Sequence, residues 1–151
     1  MFLIYKKNGL LFSLGVYILR EQNNRGGTNM KMIGDFIQTG DWKGEKHVPV
    51  IHMPENAKAG EQFKVKVSIG DAVGHPNTLE HHIVWFKIFF HGEGSKFPVE
   101  VANLNFSAHG EDDIFTDPVG EANITTDKPG TIYAISYCNI HGLWEDVIEV
   151  K

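Results

Sequence analysis

From Phe63 to Ile69, apolar and polar residues alternate without a break: Phe63, Val65, Val67 and Ile69 against Lys64, Lys66 and Ser68. A period of two is that of a strand with one face on a core. Ile83 to Phe90 is denser in apolar and aromatic side chains and predicts a central strand. Val99, Val101, Leu104 and Phe106 predict another, with a small irregularity in their spacing, and Ala122 with Ile124 a shorter one. Lys128-Pro129-Gly130 is a turn signal. After it, Ile132, Ala134 and Ser136 alternate with Tyr133, Ile135 and Tyr137, and Val147, Ile148 and Val150 close the pattern. From Met30 onward no helical period exceeds two turns, and no internal repeat or low-complexity tract is present. About seven short strands punctuated by Gly- and Pro-rich breaks predict an all-β fold, an immunoglobulin-like Greek-key β-sandwich.

Residues 1–29 do not share this pattern. Lys6 and Lys7 precede an apolar run from Leu10 to Leu19, interrupted by Ser13 and Gly15 and too short to span a bilayer. No small-x-small cleavage pattern follows. Leu10, Leu11, Leu14 and Ile18 would share one face of a short helix that could pack or mediate assembly, and Gln22 to Asn29 reads as a linker. The expectation is an N-terminal extension over 1–29, with Met30 as a candidate start, and one domain over 30–151.

Composition narrows the function. The chain has 151 residues, 42% hydrophobic and 22% charged, with a formal net charge of -5. These are the proportions of one ordinary globular domain, and the negative balance argues against a nucleic-acid partner. No segment predicts a membrane span. A single cysteine, Cys138, excludes an internal disulfide framework and any four-cysteine site within one chain. Freedom from disulfides fits a cytoplasmic protein. Cys138 can be core filler, a nucleophile or a metal thiolate.

Eight histidines are many for this length. They fall largely in three clusters at predicted loops or strand edges: Glu45-Lys46-His47-Val48-Pro49, His75-Pro76-Asn77-Thr78-Leu79-Glu80-His81-His82, and Cys138-Asn139-Ile140-His141-Gly142. Loops on a rigid sandwich can bring distant ligands together. Cys-x-x-His lets one tight turn present a thiolate and an imidazole to one ion, with the N–H groups of Ile140 and His141 free to point back at the sulfur. His75 and His81 can converge through an irregular loop. His82 points the opposite way if a strand begins there, which gives it a structural role. An extended segment would place Glu45 and His47 on one side and Lys46 on the other. His52, His91 and His109 read as surface or supporting histidines, and Trp85 and Trp144 as core aromatics. Trp42, just before the first cluster, is placed to cover the site.

His47, His75, His81, Cys138 and His141 are thus candidate ligands of one metal ion. Imidazoles with a thiolate suit zinc, copper or iron. Structural zinc takes four ligands and leaves no spare position, so five donors and a nearby carboxylate favour iron. A blue copper site is the main rival, but residues 142–151 lack the methionine such sites commonly use. Two other functions therefore stand beside a redox enzyme: a non-catalytic electron-transfer metalloprotein, and a zinc-bearing interaction module.

The three clusters, in this order, resemble the iron-binding motifs of the superoxide reductase family, of the single-centre neelaredoxin type, and of the iron-binding C-terminal domain of desulfoferrodoxin. Ala108-His109-Gly110-Glu111 matches a family segment as well, and the resemblance spans about residues 30–151. It implies an iron centre with His47, His75, His81 and His141 as equatorial ligands and Cys138 as the axial thiolate. It implies that Glu45 fills the sixth position in the ferric state and that Lys46 is a mobile cation beside it. The implied reaction reduces superoxide to hydrogen peroxide, with a rubredoxin-like donor restoring the electron and a homotetrameric assembly. Gly74, Leu79 and the Asp112 to Pro118 segment depart from the family pattern, and none of them removes a ligand.

Overall fold

The computed structural model describes residues 30–151; the readings made above for residues 1–29 lie outside them. Seven strands follow in chain order: β1 (Val50–His52), β2 (Gln62–Ser68), β3 (Ile83–Gly92), β4 (Val99–Asn105), β5 (Val119–Thr125), β6 (Gly130–Cys138) and β7 (Gly142–Val150). They form a three-stranded sheet in the order β1-β2-β5 and a four-stranded sheet in the order β4-β3-β6-β7. Every strand pair is antiparallel. This is the expected all-β sandwich.

The alternation read from the sequence is the alternation of burial. Phe63, Val65 and Val67 of β2 face Phe86, Ile88, Ile132 and Ala134 of the other sheet in one core cluster, while Lys64 stays in solvent. In β6 the buried row is Ile132, Ala134, Ser136 and Cys138. Cys138 is therefore the last inward position of a core strand, fully buried at one end of the sandwich.

Three details differ from the sequence reading. β1 is only three residues long and follows Pro49, too short to leave a periodic trace. β7 starts at Gly142 rather than near Val147, because it forms a tight hairpin with β6 whose register pairs Cys138 with Gly142. Gly142 has φ +78, a conformation that glycine adopts without the Cβ penalty, so this residue closes the three-residue loop Asn139-Ile140-His141. In β3, Ile83 and Phe86 are both buried although they differ in parity. A register irregularity between Ile83 and Trp85 accounts for this. Such a bulge turns the strand by one side chain, here opposite Tyr137 and Cys138 and directly after His81 and His82.

Candidate metal centre

Three chain segments meet at this end of the sandwich, each held by its own polar contacts. The Glu45–His47 segment is a turn and not the extended stretch expected: the N–H groups of Gly44 and Glu45 both donate to the Asp41 carbonyl at 2.9 Å. Ser136 then donates its hydroxyl to the His47 carbonyl at 3.1 Å, tying this turn to β6 two residues before Cys138. The His81 segment is tied to the β6–β7 hairpin by Asn139. Its amide Nδ2 donates to the Glu80 carbonyl at 2.9 Å and its Oδ1 accepts the His82 N–H at 2.9 Å. At the head of the same loop, the His75 backbone packs on Gly70, where a Cβ would lie 2.9 Å from the His75 nitrogen. Gly70 also has φ +83, so both space and conformation demand glycine there.

The side chains converge. Ligand atoms of His47, His81, Cys138 and His141 all lie within 4.8 Å of one another. His75 is outside that tightest group, yet its ring is packed against it, 5.0 Å from His47 and 4.6 Å from His81 between centroids. The other two neighbouring pairs are His81–His141 at 4.9 Å and His47–His141 at 4.4 Å, while His47 and His81 stand farther apart at 6.0 Å. Four near-equal edges and one longer diagonal describe a quadrilateral of imidazoles. Cys138 is wholly buried and His47 is 6% exposed, whereas His141 is exposed. The thiol thus lies on the core side of the quadrilateral and His141 on its solvent rim.

The ring nitrogens are sorted by their partners. His75 Nδ1 donates to the Pro76 carbonyl at 2.6 Å, and His47 Nδ1 donates to Glu45 Oε1 at 2.5 Å. Both rings therefore keep Nε2 unprotonated, and in both that atom is buried and has no hydrogen-bond partner. Two buried, unsatisfied acceptors in one small cluster are costly unless an electrophile serves both. His141 differs: its Nδ1 lies 3.6 Å from the Cys138 sulfur and 3.2 Å from His81 Nε2. A residue three positions after Cys138 in a tight loop can bring only its nearer ring nitrogen to the common point. The sulfur's polar neighbour is this nitrogen, and not the N–H groups of Ile140 and His141 that the sequence suggested.

Electrostatics keep these rings neutral. Burial pushes His75 from 6.5 down to about 4, and the positive charges of neighbouring rings and of Lys46 act in the same direction. His47 and His81 are lowered for the same first cause, burial, with Lys46 again contributing. For Glu45, burial acts to raise the carboxyl, but the hydrogen bonds from the His47 ring and backbone outweigh it and the group ends below its ordinary range. Neutral imidazoles are the form in which a metal ion takes histidine as a ligand. The donor set and the two unpartnered nitrogens fit a metal ion with mixed nitrogen and sulfur coordination.

The remaining predicted residues sort plainly. Glu45 is turned onto Nδ1 of His47, away from the shared nitrogen cluster. Lys46 is half-buried and forms no ion pair among the described residues. His82 stacks on His109, with centroids 3.6 Å apart, and its Nδ1 contacts the Thr78 carbonyl, a structural role. His109 is buried between the Phe106 carbonyl and Asn77 Oδ1. His52 contacts Asp71 and Ser68, and His91 contacts Ser95, both away from the cluster. Trp144 is not a core aromatic: its ring stacks on His47 at 5.2 Å and its Nε1 donates to the His141 carbonyl. Gln38, unremarked in the sequence, donates Nε2 to the same carbonyl. Trp42 contacts Lys43.

Fold and donor set describe a β-sandwich that carries one His–Cys cluster suited to a metal ion. The chain belongs to the desulfoferrodoxin family, whose model matches residues 39–147. It is 49% identical over 120 residues to a superoxide reductase of Pyrococcus abyssi, covering 80% of this chain and all of that one. It is 45% identical over 123 residues to a neelaredoxin of Megalodesulfovibrio gigas, covering 77% of this chain and 94% of the relative. The reduced superoxide reductase (neelaredoxin) of Archaeoglobus fulgidus superposes with a TM-score of 0.70 at 46% identity, covering 77% of this chain and 98% of that one.

Proposed function

We propose that this protein is a superoxide reductase that uses one iron ion held by His47, His75, His81, His141 and Cys138. The observation that carries this is the quadrilateral of imidazoles over a buried thiol, with two buried ring nitrogens unpartnered. Five donors exceed what structural zinc uses, and thiolate with imidazole suits iron. When bound, iron cycling between ferrous and ferric supplies the single electron that, with two protons, converts superoxide to hydrogen peroxide.

The chain's own residues do the rest. Cys138 lies on the core side of the imidazoles and His141 on the solvent rim, so an anion would reach the cluster from the solvent side. The overall charge of -5 repels an anion, and Lys46 supplies a local attraction at the cluster. Glu45 holds the His47 ring by Nδ1; released from it, its carboxylate would be a further oxygen donor for the bound ion, and both Glu45 and Lys46 are catalytic candidates. No group in the chain can store a second electron, so turnover needs an outside donor, a rubredoxin-like protein. Exposed Leu79 and Ile140, adjoining the His81 and His141 segments, offer it an apolar landing. Exposed Phe97 and Val99 at edge strand β4 support assembly into a homotetramer. Among the described residues no helix is long and apolar enough to cross a membrane, and a cytoplasmic location suits the free thiol. Residues 30–151 form the functional unit, with 1–29 an extension dispensable to the reaction.

The test is metal analysis of the protein as purified and after anaerobic iron loading. One iron per chain, with a visible thiolate-to-iron band on oxidation, supports the reading. Copper or zinc at that stoichiometry, with iron failing to displace it, overturns it.

A further inference from the structure

We propose that Trp144 and Gln38 are positioning residues of the metal centre, a two-donor clamp that holds His47 and His141 in ligating geometry. The proposal rests on reading the His–Cys cluster as a metal site.

Trp144 sits in β7 directly opposite Ser136 of β6, so both side chains lie on the same face of the sheet. Ser136 holds the backbone of His47 through its carbonyl, and Trp144 holds the ring. The indole and imidazole planes are 20° apart with centroids at 5.2 Å, an offset stack. Glu45 on Nδ1 at one edge and the indole on one face together restrain the His47 ring in the orientation that leaves Nε2 buried.

The same indole reaches a second ligand. Its Nε1 donates to the His141 carbonyl at 3.2 Å, and Gln38 Nε2 donates to that carbonyl at 2.9 Å. A carbonyl oxygen has two lone pairs, and here both are taken by side chains. Gln38 is itself fixed: its N–H donates to the Leu143 carbonyl at 3.0 Å and its carbonyl accepts the Glu145 N–H at 2.8 Å, flanking Trp144 on the edge strand. His141 is exposed and lies in a three-residue loop, so nothing in the core restrains it. The clamp supplies that restraint, and it links the first and third ligand clusters, 94 positions apart in the chain, through one aromatic ring. Groups that orient metal-ligating histidines typically change affinity by about 10–100-fold when removed.

The experiment measures binding of cobalt(II), a spectroscopic substitute, to metal-free full-length protein by competition with a chelator. Trp144→Phe keeps a ring on His47 and removes the indole donor. Gln38→Ala removes the other donor, and Trp144→Ala removes stack and donor together. The expected losses of affinity are several-fold for Trp144→Phe and for Gln38→Ala, and about 10–100-fold for Trp144→Ala, with an altered ligand-field spectrum in the last. The Trp144→Phe/Gln38→Ala double variant should lose more than the two singles combined, because only it strips the His141 carbonyl of both donors. A merely structural role would lower thermal stability and leave affinity and spectrum alone. Wild-type affinity and spectrum in Trp144→Phe, Gln38→Ala and their double variant would overturn the clamp, even if Trp144→Ala does not fold. A wild-type chain that binds no metal would overturn the clamp together with the reading on which it rests.

Discussion

Replacing His75 by leucine should change stability in opposite senses with and without metal. His75 Nε2 is buried with no partner, a condition that costs about 1–3 kcal/mol in the metal-free protein. Leucine is similar in bulk and removes the unpaired atom. It also removes the bond from Nδ1 to the Pro76 carbonyl, worth about 0.5–1.5 kcal/mol net. The difference centres on a gain of about 1 kcal/mol for metal-free His75→Leu at neutral pH, within bounds of about 0.5 kcal/mol lost and about 2.5 kcal/mol gained. Metal reverses the order. At a hundredfold excess over its dissociation constant, an ion that binds only the native state adds about 2.7 kcal/mol to wild type. A variant short of one ligand gains less at the same metal concentration. Urea unfolding followed by tryptophan fluorescence reads both cases, in chelator and with anaerobic ferrous iron. One kcal/mol moves the midpoint by about 0.3–1 M at ordinary slopes. A metal-free His75→Leu protein less stable than wild type by more than about 0.5 kcal/mol would show the opposite, that Nε2 is satisfied within the protein and not held in reserve for an ion.

Other predictions follow from the same geometry. Cys138→Ser should lose the thiolate-to-iron band altogether while the protein stays folded; a variant that keeps the band would exclude Cys138 as a ligand. Lys46→Ala should slow the reaction with superoxide by about tenfold or more at low ionic strength and flatten its salt dependence, within the range of electrostatic steering; an unchanged salt slope would remove Lys46 from that role. In metal-free protein, stability should be complete above pH 6.5 and erode as pH falls toward about 4, because the unfolded chain takes up the proton that buried His75 resists. His47 and His81 are shifted in the same direction and add to the effect. Urea midpoints that stay level or rise across that window would contradict it.

Much of this was legible in the sequence, for identifiable reasons. Period-two alternation survives wherever a strand has one face on the core and one in water, as in β2 and β6. The candidate donors stand out in the sequence because thiol and imidazole side chains have few other uses in such clusters. The features without a sequence signal depend on contacts across strands. Gly142-Leu143-Trp144-Glu145 lacks clean alternation, since Trp144 turns inward onto His47 rather than into the core, and so the start of β7 was missed. The β3 bulge leaves no mark in Ile83-Val84-Trp85-Phe86, where every side chain is apolar. Gln38 has no signal at all, as its partner lies 103 positions away. For Trp144 a faint signal existed: an aromatic three residues after a candidate ligand, within reach of that ligand's own carbonyl.

The most direct test of the central claim is the product balance of the iron-loaded protein, fully reduced beforehand, on meeting a stoichiometric pulse of superoxide without oxygen. The expected balance is one hydrogen peroxide for each superoxide consumed, loss of one electron from the protein per event, and no dioxygen. Dioxygen released alongside peroxide, with the protein still reduced at the end, would mean disproportionation and would contradict a reductase.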